Sequence, residues 1–207
     1  MIINHKYKFV FLHIPKTAGT SITKALSPFC NKWDTILGCD CGPEEIVKDD
    51  GFKIHKHSNA QDIKTYMTSE RWTNYFKFTF VRNPVDRAVS LYEWWKRTDA
   101  KWDPETKDAI SKMSFKEFVF SRYCSPCQSD FLVGSIEKPP KIDFIGKFEN
   151  LNIDFAYLCG LLDLPRITLE RKNSSPREHS DTKDYLDEDI TKEIKSKFHR
   201  DYTYFNY

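Results

Sequence analysis

Two observations predict an α/β fold with a central parallel sheet flanked by helices. Phe9–Leu12, Phe76–Val81 and Ile142–Phe148 are runs of strand length rich in phenylalanine, isoleucine and valine. Each gives way within a few residues to apolar positions at helical spacing. Alternation of this kind implies parallel strands covered on both faces, with ligands bound beyond the carboxyl ends of the strands. At 207 residues, one domain spanning 1–207 is the expectation.

The first strand, Phe9–Leu12, continues through His13 and Ile14 and breaks at Pro15. Lys16, Thr17, Ala18, Gly19, Thr20 and Ser21 follow as a tight loop, and Ile22, Ala25 and Leu26 mark a helix. Gly38 to Gly51 is polar and reads as surface loop. Phe52–His57 reads as a short strand, and Ser58 to Gln61 as a capping box opening a helix through about Met67. Phe76–Val81 stops at Arg82, where Asn83 is an N-cap and Pro84 a first-turn proline. The next helix carries Val85, Val89, Tyr92 and Trp95 on one face. Lys96 to Lys112 is charged and reads as irregular, and Ser114 with Glu117 forms a second capping box. A helix over Leu151–Leu162 follows the third strand, and Ile190, Ile194 and Phe198 define a last amphipathic helix.

Thirty-two Lys and Arg against 30 Asp and Glu leave a net charge of +2. That balance points to no nucleic-acid partner, so any anion site is local. No apolar run has the length of a membrane span and MIINHKYK lacks an apolar signal core, so a cytoplasmic protein with mostly reduced thiols is expected. Cys39 and Cys41 stand too close for ordinary zinc-ligand spacing, so pairing them with Cys124 and Cys127 into a zinc site is disfavoured and no metal is expected.

The loop after the first strand is the most informative segment. It turns backbone N–H groups and a positive helix end toward one point, where Lys16 adds a charge and Thr17, Thr20 and Ser21 add hydroxyls. A phosphate or sulfate suits it; the competing reading is an ordinary strand–helix turn with a solvated lysine. It is not a Walker A loop, because Lys16 precedes the only nearby glycine. Arg82 leaves the second strand just before a capped helix that carries Ser90 two turns on. That pair suits a second phosphate, unless Arg82 pairs with Asp86 instead. Two such sites point to a nucleotide phosphorylated on both its 3′ and 5′ sides. Ahead of the Ser58 cap, His55-Lys56-His57 places histidines at a helix N-terminus, which favours the neutral imidazole that a general base requires, the competing reading being polar surface residues; His57 is slightly preferred to His55.

HIPKTAGTS resembles the 5′-phosphosulfate loop of sulfotransferases, and FTFVRNPVDRAVSLY resembles their 3′-phosphate element. The likeness is strongest to the carbohydrate group that includes the heparan sulfate 2-O-sulfotransferases and small microbial members. KIHKHSNAQDIK, IGKFENL, RKNSSPREH and DYTYFNY match further segments, so it covers nearly the whole chain. The resemblance implies a P-loop-like sulfotransferase fold with 3′-phosphoadenosine 5′-phosphosulfate as co-substrate and no metal. Lys16 with Thr17, Ala18, Gly19, Thr20 and Ser21 then holds the phosphosulfate, and Arg82 and Ser90 the 3′-phosphate. Ser174 and Ser175 close over the nucleotide, and His57 or His55 deprotonates a hydroxyl of a glycan or small acceptor. YCSPCQSDFLVG is only partly family-like, and Gln128 and Asp130 there are candidate acceptor contacts. The animal relatives carry a membrane anchor that this sequence does not show. The alternatives are a nucleotide kinase or NTPase, which lacks its Walker lysine here, and a non-catalytic nucleotide- or glycan-binding module.

Overall fold

The computed structural model describes residues 1–38, 40–133, 141–169 and 181–207. In chain order the first elements are β1 (Ile2–Asn4), β2 (Phe9–Leu12), α1 (Gly19–Leu26), β3 (Thr35–Ile36), β4 (Glu45–Val47) and β5 (Lys53–His55). Then come α2 (Ala60–Tyr66), α3 (Ser69–Asn74), β6 (Phe76–Val81), α4 (Pro84–Arg97), α5 (Pro104–Ser111), α6 (Phe115–Phe120) and α7 (Asp130–Val133). β7 (Phe144–Lys147), α8 (Leu151–Leu161), α9 (Glu188–Lys197) and α10 (His199–Phe205) complete the set. The elements fall into two compact units, one from residues 1–81 and 128–173, the other from 82–127 and 174–207.

The first unit carries a five-stranded sheet in the order β3-β1-β2-β6-β7. β2, β6 and β7 run parallel, in a register that sets Phe11 beside Phe78 and Phe80 beside Gly146. β1 is antiparallel to both β2 and β3, so the expected parallel sheet is the centre of a mixed one. On one face Phe9, Phe11, Phe78 and Phe80 pack with Ile22 and Leu26 of α1 and Phe155 and Leu158 of α8. Each such side chain contributes about 1.5–3 kcal/mol on burial, which makes this face the dominant stabilising term of the unit. Val10, Leu12 and Val81 alternate onto the other face and are also buried, the pattern of parallel strands covered on both sides. Lys77 is the exception, only 6% exposed. Its ammonium meets the Asp143 carboxylate at 3.2 Å and donates to the carbonyls of Trp72 and Tyr75, which offsets the cost of burying a charge.

Gly146 shows how closely the strands approach. A Cβ there would stand 2.7 Å from Cδ1 and 2.8 Å from Cζ of Phe80, a ring fully buried in the core. Gly146→Ala is therefore expected to lower the unfolding free energy by about 1–3 kcal/mol, the usual cost of overpacking, measured by urea denaturation.

The second unit is helical. Val89, Tyr92 and Trp95 of α4 meet Phe115 and Phe118 of α6 and Ile190, Ile194 and Phe198 along α9. Asn83 accepts from the Val85 N–H and caps α4, with Pro84 in its first turn, and the Ser114–Glu117 capping box opens α6 as expected. Tyr185 donates at 2.6 Å to Glu93, so that buried carboxylate has its partner.

Several local expectations are corrected. Gly38 to Gly51 is not all loop, because β4 pairs with β5 in a two-stranded sheet of its own. Lys96 to Lys112 is not irregular: α4 runs on to Arg97, and Asp103 caps α5. The strand predicted over Phe9–Ile14 stops at Leu12. The cap of α2 is Asn59, which accepts from the Asp62 N–H, whereas the Ser58 hydroxyl accepts from the His55 N–H.

Candidate active site

β2 delivers its chain to the loop that the sequence marks as a candidate anion site. Past Leu12, the Thr17 hydroxyl donates to the Ile14 carbonyl at 2.9 Å and folds the segment back on itself. Lys16 and Ala18 adopt left-handed backbone, φ 69° and 68°, at roughly 1–2 kcal/mol each for residues with a Cβ. Strain of that kind persists where the surroundings enforce it, which is typical of functional loops. It aims the chain so that α1 begins with no side chain capping it and no acidic residue in its first turn. α2, α3, α4, α5, α6 and α9 begin with a side-chain cap, whereas α8 and α10 share the uncapped start of α1. The amino end of α1 therefore presents N–H donors and positive potential, features that suit an anion, beside the half-buried Lys16, Thr20 and Ser21.

Gly19, the first residue of α1, is not there for backbone freedom, since its φ is not positive. A Cβ at this position would fall on Cδ2 and Nε2 of the His13 ring and 2.7 Å from its Cγ. His13 is only 5% exposed, and its carbonyl accepts from Nδ1 of His57 at 2.8 Å. A carbonyl only accepts, so His57 carries its proton on Nδ1 and presents Nε2 as a free lone pair. Burial above all, with Lys56 adding to it, pushes the His57 pKa down to about 3, so the ring is neutral at pH 7. His55 differs: its Nδ1 accepts from the His57 N–H at 3.1 Å, and its ring is exposed. The structure thus sets Gly19 and His57 against His13, with Lys16 close enough to act on its charge and His55 joined to the His57 backbone.

The other predicted anchors belong to the helical unit. Arg82 is 7% exposed and stands two residues ahead of α4, which carries Ser90 at its seventh position. Asp86, the acid weighed as a structural partner for Arg82, accepts from the Thr182 hydroxyl. Ser174 and Ser175 lie outside the described residues, as does Cys39. Gln128 is fully buried, so its amide belongs to the interior, while Asp130 at the start of α7 is half-buried. Among the described residues no group of three or more His, Cys, Asp or Glu side chains is placed to hold a metal, and no helix is long and apolar enough to cross a membrane.

The model of the Sulfotransferase family matches residues 1–207. The chain belongs to the sulfotransferase family. It is similar to carbohydrate sulfotransferase 10 of Xenopus laevis, 22% identical over 256 residues that cover 100% of this chain and 67% of that protein. It is also similar to human carbohydrate sulfotransferase 9, 24% identical over 257 residues, covering 99% of this chain and 52% of the relative. An uncharacterized protein of Archaeoglobus fulgidus is 28% identical over 113 residues, covering 50% of this chain and 80% of its own length. The chain thus spans about half to two thirds of the length of these two carbohydrate sulfotransferases. No solved structure matches it.

Within this loop, sequence reasoning missed two details. The Thr17 hydroxyl is 1% exposed and donates to the Ile14 carbonyl, so it is turned to the loop itself and not toward an anion. From the sequence His13 reads only as the tail of a strand. The signal that marks it is a polar ring directly after a buried apolar run and three residues before Lys16.

Proposed function

We propose that the chain transfers the sulfuryl group of 3′-phosphoadenosine 5′-phosphosulfate to a hydroxyl of a carbohydrate or related acceptor. One observation carries this reading: an uncapped helix start with its lysine and a histidine presenting a free Nε2 are both built against His13. The N–H groups at the start of α1, Lys16, Thr20 and Ser21 hold the phosphosulfate. Arg82 and Ser90 take the 3′-phosphate, the role that the family resemblance gives them. His57 Nε2 accepts the acceptor hydroxyl proton as the new O–S bond forms. The S–O bond to the 5′-phosphate breaks, and Lys16 stabilises the charge left on that bridging oxygen. Sulfuryl transfer, like phosphoryl transfer, asks mainly for alignment and charge stabilisation, which this loop is shaped to give. A carbohydrate acceptor is supported by the relatives, which are carbohydrate sulfotransferases by name.

Incubation with donor labelled in its sulfuryl group and a panel of glycans, lipids and small alcohols is expected to label a carbohydrate. Calorimetry is expected to show 3′-phosphoadenosine 5′-phosphate binding more tightly than ATP with Mg²⁺. Tighter binding of ATP with Mg²⁺ would overturn the reading in favour of a kinase or NTPase.

A further inference from the structure

The His13 side chain lies at the centre of the constellation, yet it takes no part in the chemistry proposed above. Its ring stacks on Phe11, with centroids 5.8 Å apart and planes 14° from parallel. Phe11 stacks in turn on Phe78 at 5.1 Å and 17°, so the plane of the imidazole is set by the core of the sheet. The Cδ2–Nε2 edge lies against Gly19, and the ring meets His57 edge-on with centroids 4.6 Å apart. Among the described residues its buried Nδ1 has no hydrogen-bond partner. An orphaned buried polar atom costs about 1–3 kcal/mol, which an apolar ring of similar shape would avoid. A stability argument alone therefore does not account for an imidazole here, and such groups call for a functional account.

We propose that His13 is a positioning residue: its ring is the spacer that fixes the separation between the anion loop and the His57 imidazole. The proposal rests on the sulfuryl-transfer reading and deepens it. Two contacts define the spacer. On one side there is room for His13 only because residue 19 has no Cβ, and on the other the same residue supplies both a ring edge and a carbonyl to His57. A donor bound at the start of α1 presses on Gly19, and the rigid ring passes that displacement to the base. The balance of the reaction is unchanged, for His13 neither gains nor loses a proton.

The shared space gives a direct test. Gly19→Ala forces the new Cβ into the ring, and an error of about 1 Å in a catalytic constellation costs about 10²-fold in kcat. His13→Ala removes the spacer and is expected to lower kcat by a similar factor, with nucleotide affinity kept within a few-fold. In the double variant the clash is gone but so is the spacer, so kcat should fall no further than in His13→Ala alone, about 10²-fold below wild type instead of 10⁴-fold. Multiplicative losses in the double variant would overturn the proposal.

NMR of the His57 ring supplies a readout independent of turnover. Addition of 3′-phosphoadenosine 5′-phosphate is expected to shift the His57 imidazole signals in the wild-type protein and to leave them in place in His13→Ala at saturating nucleotide. An equal shift in both proteins overturns the positioning role and leaves the sulfotransferase reading intact. A wild-type protein that binds no nucleotide removes both.

Discussion

Alanine in place of His57 is expected to lower kcat by about 10²–10⁴-fold, the usual worth of a general base, while nucleotide affinity and the far-ultraviolet dichroism spectrum stay unchanged. His55→Ala should cost far less, because the exposed His55 ring gives its Nδ1 to the His57 backbone. A loss confined to His55→Ala would move the base there. The depressed pKa of His57 makes a second, signed expectation. In the free enzyme this ring is neutral down to about pH 3, so kcat/KM should show no acidic limb centred on the ordinary histidine value of 6.5. Stability behaves otherwise. Below pH 6.5 the unfolded chain binds a proton at His57 that the folded chain refuses, so stability falls with pH from 6.5 toward 3. Denaturation midpoints measured from pH 7 to 4 should therefore fall less steeply in His57→Ala than in the wild type.

Removal of the Lys16 charge is the second large effect. Lys16→Ala is expected to cost about 10²–10³-fold in kcat or more, the range found when a preorganised donor to a developing oxyanion is deleted. Lys16→Gly separates charge from conformation. Position 16 has a φ of 69°, so glycine relieves the left-handed strain and should hold or raise the denaturation midpoint. The same variant should be as inactive in the labelled-sulfate assay as Lys16→Ala. An active Lys16→Gly protein would remove the ammonium from the mechanism and leave the loop as a backbone cradle alone.

The parts of the fold that were legible in the sequence are those written in local chemistry. β6 was bounded correctly because its apolar run meets Arg82 and an Asn-Pro cap, and the start of α6 was legible because a capping box is a four-residue signal. Asp103-Pro104 is the same kind of signal as Asn83-Pro84, but the surrounding charges masked it and α5 was missed. β1, β3 and β4 span only two or three residues each, too short for any periodicity. Their existence depends on partners brought from elsewhere in the chain, which no window of sequence contains. The same division runs through the site. Lys16 and the hydroxyl-rich loop were visible as chemistry, and so were the two histidines of β5 and the turn after it. The tautomer of His57 was not, since it depends on a carbonyl 44 residues away. Nor was the reason for Gly19, which is a matter of shape between two positions and not a property of either.

That last point has a consequence for descent. Because the backbone at position 19 is one that any residue adopts, the glycine answers to the ring at position 13, the nearest obstacle to a side chain there. The two sites should therefore be inherited as a pair. A lineage that loses the ring is free to lose the glycine, and one that gains a side chain at 19 must first have lost the ring.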